Sequence, residues 1–137
     1  MDTGVLISAF AFDGTPEKAV KEAFSAGDIC VSPAILKEYR DVPIALEAKR
    51  KLTHSQFKAL IAGIAAVVAT ARMVYPTKEI RLCRDVKDNM LLECCLEAGA
   101  NILITGDKDL LEMDESGLDF KILTPKEFVE EVLRNSK

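Results

Sequence analysis

Apolar and polar positions fall in blocks that switch between a helical and a strand-like period. In TPEKAVKEAFSAG (15–27) the apolar positions Ala19, Val20, Ala23 and Phe24 recur at helical spacing, and a glycine stops the run. DICVS (28–32) reads as a short strand. Ser32 and Pro33 open a second helix, the serine as N-cap and the proline in the first turn. It runs towards Lys51, with a bend or break expected at Pro43. A third helix begins near Thr53 and carries the apolar stretch LIAGIAAVVATARMV. ARMVYP (71–76) reads as a strand. Asp85 starts another helix, VKDNMLLECCLEAG, again stopped by glycine. NILIT (101–105) is a continuous apolar run, the mark of a strand buried on both faces. A short helix follows Asp107, KILT (121–124) is a last strand, and TPKEFVEEVLRN is a last amphipathic helix. VLIS, taken by itself, reads as a strand.

Alternating strands and helices, with doubly buried strands, predict a three-layer α/β/α sandwich around a mainly parallel sheet. The 137 residues suit a single domain. In such sheets ligands bind beyond the carboxyl ends of the strands. Acids at those ends are therefore the residues to weigh.

Composition narrows the picture. With 49% hydrophobic and 29% charged residues, this is an ordinary globular chain rather than a disordered one. The net charge of −4 argues against a strongly basic nucleic-acid binder. It leaves room for a phosphate-rich substrate if the acids are gathered and hold metal ions. Cys30, Cys83, Cys94 and Cys95 lack C-x-x-C spacing, so buried, reduced thiols in a cytoplasmic protein are expected. Asp2 stands where a signal peptide would carry basic residues. The stretch from Leu60 is too short to span a bilayer and is interrupted by Arg72. A buried helix, or one packed on a second subunit, is expected there.

Asp107 directly follows the buried strand, where the plain role is N-cap of the next helix. Asp88 shares a helix face with Leu91, Leu92 and Cys95, so it points at the core edge. The alternative is an acid favoured by the helix dipole behind an Asp85 cap. Glu38 borders the apolar stripe of its helix, about 60° from Ile35 and 40° from Val42 at 100° per residue. A solvated surface glutamate is the alternative. With Asp2 these acids form a candidate cluster. Like charges about 4 Å apart repel by about 4 kcal/mol at a surface-like dielectric. Such a cluster needs protons or cations. Oxygen ligands without a nearby histidine favour Mg2+ or Mn2+. The chemistry suited to that site is phosphodiester hydrolysis, with ions to activate water and steady the leaving oxygen.

Four segments carry a family resemblance. They are D-T-x-V-L-x-S-A at the start, a Glu after the second strand, D-x-x-D-N-x-x-L-E, and T-G-D-K-D-L-L. Together they resemble the PIN-domain ribonucleases, in particular the VapC-like toxin components of toxin–antitoxin systems. The resemblance covers nearly the whole chain. It implies Asp2, Glu38, Asp88 and Asp107 as catalytic metal-binding acids, with Asp109 assisting and Asp85 more weakly so. Thr3, Asn89 and Thr105 would support them. It implies cleavage of RNA with Mg2+ or Mn2+, an antitoxin that blocks the acidic pocket, and a tendency to dimerise. In this family the first acid ends the central strand, and the V-L-x-S-A that follows turns into a helix. Here only Met1 precedes Asp2, so the central strand is expected to be almost absent, through a start that lies too late or through loss of the strand. Gly4 replaces the asparagine that usually supports the first acid. A catalytically degenerate RNA- or protein-binding PIN-like module is the alternative.

The basic stretch Lys37, Arg40, Lys49, Arg50 and Lys51 lies near Glu38, and Lys37 and Arg40 are candidate RNA contacts. FDGTP (12–16) suggests a haloacid-dehalogenase phosphatase, but that chemistry needs an aspartate at position 11, which is alanine. The plain reading is a turn with Thr15 as N-cap. His54, the single histidine, reads as a surface residue at a helix start.

Overall fold

A computed structural model describes residues 1–12 and 15–135. Asp13 and Gly14, and with them the turn expected at FDGTP, lie outside the described residues. Helix α1 (Thr3–Ala11) comes first, with Asp2 as its N-cap. The strand expected at VLIS is therefore a helix. Val5, Leu6 and Ala9 form its buried side, a spacing that suits a helix and not a strand. Helix α2 (Thr15–Ala26) packs against α1. Strand β1 (Cys30–Val31) leads into α3 (Pro33–Ala48), capped by Ser32, whose hydroxyl accepts from the Ile35 amide. Pro43 sits inside α3 and does not end it.

Helix α4 (His54–Thr70) opens with a reciprocal capping box between Thr53 and Gln56. It packs on α1 so closely that a Cβ at Gly63 would run into the Phe10 ring. Strand β2 (Arg72–Met73) follows, then α5 (Val86–Ala98), capped by Asp85 and ended by Gly99 at φ 63°. Strand β3 (Ile102–Ile104), the single turn α6 (Lys108–Leu111), β4 (Lys121–Leu123) and α7 (Pro125–Asn135) complete the chain. The result is an α/β fold with short parallel strands.

The strands form two separate parallel pairs, β1–β2 and β3–β4, among the described residues. Helix α5 touches both pairs and bridges them. Lys121 N donates to Asn101 O and Thr105 N to Leu123 O. Parallel strands alternate the side on which their backbone bonds, so Ile102 and Ile104 turn theirs the other way. Ile104 O accepts from Asp2 N at 3.1 Å. Beside these strands lies a cavity of about 520 Å3, lined by Cys30, Ile102, Ile104, Cys95, Phe128 and Met1 among others. Cys94 and Cys95 are buried, all four cysteines are free, and burial pushes the Cys95 thiol up to about 12. No helix is long and apolar enough to cross a membrane among the described residues.

Candidate metal centre

The carboxyl end of β3 and the starts of α1, α5 and α6 meet at a second, smaller cavity of about 110 Å3. Asp2, Glu38, Asp88 and Asp107 all line it, with Thr3, Asp85 and Lys87. Each acid arrives by a local rule. Asp2 caps α1, and its Oδ1 accepts from the Gly4 amide at 3.4 Å. Asp107 caps α6, its Oδ1 accepting from Asp109 N at 2.8 Å. Asp85 caps α5 through the Lys87 amide, so Asp88, a turn further on, is not needed as a cap. Asp107 and Asp85 thus cap helices and face the cavity together.

Asp88 is only 4% exposed, and its Oδ2 is buried with no hydrogen-bond partner. An unpaired buried carboxylate is costly. Its pKa is accordingly pushed up to about 7, first by burial, then by the Asp107 charge and a hydrogen bond with Asp107, then by Asp85 and Asp2. Carboxylate oxygens of Asp88, Asp107 and Asp109 lie within 4.8 Å of one another. An orphaned buried oxygen beside converging hard oxygen donors fits a divalent cation. Asp88, Asp107 and Asp109 would hold it, with Asp2 and Glu38 in the same cavity.

Thr105 ties the acids together. It is fully buried, donates its hydroxyl to Asp2 Oδ2 at 2.6 Å and accepts from Asp107 N at 3.0 Å. Thr3 is buried at the cavity wall. Asn89 turns elsewhere: its amide group bonds the Cys83 N–H and C=O at 2.9 and 3.1 Å and pins the loop before α5.

Lys37 and Arg40 are exposed and do not line the cavity, and Arg40 pairs with Asp41. Lys49, Arg50 and Lys51 lie past the end of α3, where cations favour the helix dipole. His54 is exposed at the start of α4.

Three residues went unread in the sequence. Tyr39, 1% exposed, donates its hydroxyl to Met1 O at 2.6 Å and so anchors the peptide that carries Asp2. A tyrosine on an apolar helix stripe needs a partner for its hydroxyl, and that was the available signal. Lys87 Nζ lies 3.5 Å from Glu38 Oε1. Arg84 reaches both oxygens of Asp109 at 3.2 and 3.1 Å. Among surface cations, nothing in the sequence marks these two.

An α/β fold with an aspartate cluster at a strand end is compatible with a nuclease-type domain. The chain belongs to the PIN-domain family: the PIN domain family model matches residues 1–109. Members of this family are generally metal-dependent nucleases that bind divalent metals. The chain is also similar to a relative named uncharacterized protein MJ1680, from Methanocaldococcus jannaschii. They are 31% identical over 140 residues, covering 96% of this chain and 88% of the relative. No solved structure matches the chain significantly.

Proposed function

We propose that this protein is an endoribonuclease that uses Mg2+ or Mn2+, with Asp2, Glu38, Asp88 and Asp107 as its catalytic acids and Asp109 assisting. The observation that carries the reading is the buried, unpartnered Asp88 oxygen beside Asp107 and Asp109. A divalent cation bound there supplies positive charge for the phosphodiester's developing negative charge and lowers the pKa of water. The chain's own residues prepare for it. Thr105 fixes the relative positions of Asp2 and Asp107. Tyr39 holds Met1, and with it Asp2, against α3. Asp88 would have to ionise to hold the cation, releasing its proton to solvent.

The toxin role rests on the resemblance of the D-T, D-x-x-D-N and T-G-D-K-D segments. An antitoxin, on this reading, covers the acidic cavity, and a homodimer is proposed with it. Expression that arrests growth, relieved by a co-expressed partner protein, would support the toxin role. Expression without any effect on growth would remove it.

Cleavage of a labelled single-stranded RNA with Mn2+, with EDTA and with Asp88→Asn tests the enzyme reading. Cleavage should need both the cation and Asp88. Folded protein that binds the RNA yet never cuts it would replace the enzyme with a degenerate binding module.

A further inference from the structure

Two cations stand on acids of the candidate metal centre, one on Glu38 in the cavity and one on Asp109 beside Asp88 and Asp107, and both come from one short stretch of chain. Lys87 immediately precedes Asp88 on α5 and pairs with Glu38. Arg84, three residues earlier, forks onto Asp109. Their side chains are 60% and 88% exposed. The Arg84–Asp109 pair, with Asp109 47% exposed, is of the kind that holds weakly, and Lys87 keeps its end of the pair with the 20%-exposed Glu38 open to water. Lys87 is the one cation lining the cavity among the described residues.

A divalent cation carries twice the charge of a side-chain cation and seeks the same carboxylates. A cation held by Asp109 and Glu38 would release Arg84 and Lys87 while leaving them beside the site. A chain of net charge −4, with an acidic pocket, also repels phosphate unless local cations offset it. Arginine offers a planar fork and lysine a mobile point charge, both suited to phosphate oxygens.

We propose that Lys87 and Arg84 are the substrate-phosphate grip of this site. They rest on Glu38 and Asp109 until a metal takes those acids, then contact RNA phosphates beside the scissile bond. The proposal rests on the ribonuclease reading.

The test is binding of a short fluorescein-labelled single-stranded RNA, followed by anisotropy at several salt concentrations with Ca2+ present. The proteins are the parent, Lys87→Gln, Arg84→Gln, the double variant and Lys87→Arg. Each loss of charge should weaken RNA binding several-fold and lower the slope of log K against log salt by roughly 0.7. Lys87→Arg should keep the parent slope. Mn2+ affinity, by calorimetry, should tighten in both Gln variants because a competitor for the acids is gone. An unchanged salt slope and RNA affinity would overturn the proposal, and a changed melting temperature with an unchanged slope would reduce the pairs to structural counter-ions. A parent that binds no RNA would fail the ribonuclease reading itself, before any variant is compared.

Discussion

At Asp88, burial and neighbouring acids push in the same direction. The carboxyl moves from 3.8 to about 7. The folded chain therefore holds this proton more tightly than the unfolded chain. That stabilisation is full below 3.8 and is lost as pH rises through about 7. The metal-free protein should melt at progressively lower temperature across that window. Asp88→Asn should flatten the trend, and scanning calorimetry at stepped pH checks it. Cation affinity runs the other way and should tighten as pH rises through about 7. Thr105→Val keeps shape but removes the hydroxyl shared by Asp2 and Asp107. It should cost about 1–3 kcal/mol in denaturant melts, as expected for unpaired buried groups. A Cβ at Gly4 meets nothing within 4 Å, so Gly4→Asn should fold as the parent does. At this scale Asp88 was legible because its period matches Leu91 and Leu92. Asp107 was legible because it follows a buried run, and Asp2 as an acid set directly before an apolar run, which the family resemblance then aligned with the others. Thr105's double bond and Tyr39's reach to Met1 depend on contacts across the fold, which no local pattern encodes.

Among elements, most boundaries followed from punctuation that has a mechanism. Ser32-Pro33, Thr53 and Asp85 each cap the helix they were expected to open. The TPKE segment hid a further reciprocal cap, with Thr124 and Glu127 each accepting from the other's amide. VLIS misled because three apolar residues and a serine fit either period, and the helix became evident only with Ala9 included. Pro43 was tolerated because α3 is packed against α1 and α4, contacts that outweigh one lost backbone bond. The tight α1–α4 crossing depends on Gly63. Gly63→Ala drives a methyl into the Phe10 ring. It should destabilise by about 1–3 kcal/mol, the usual range for overpacking. Gly63→Ala with Phe10→Leu should recover part of that loss in urea melts.

Over the whole molecule, the α/β class was readable from the alternation of periods, whereas the split of the sheet was not visible in any one segment. A ligand that binds only the folded state raises stability by mass action, about 2.7 kcal/mol at a hundredfold excess over Kd. Added Mn2+ should therefore raise the melting temperature of the parent and leave that of an Asp88→Asn, Asp107→Asn variant unchanged.

The gap between the two strand pairs also bears on how the protein breathes. No ladder runs from β1–β2 to β3–β4 among the described residues, and α5, packed on both pairs, couples them. Cooperative opening follows contiguous hydrogen-bonded and packed units. The amides of Arg72 and Val74, bonded across the first pair, should exchange with solvent deuterium through one opening event. Those of Lys121 and Thr105, bonded across the second, should exchange through another of different free energy. Native-state exchange at rising denaturant would resolve two isotherms, and a single shared isotherm would mean that α5 welds the halves into one foldon.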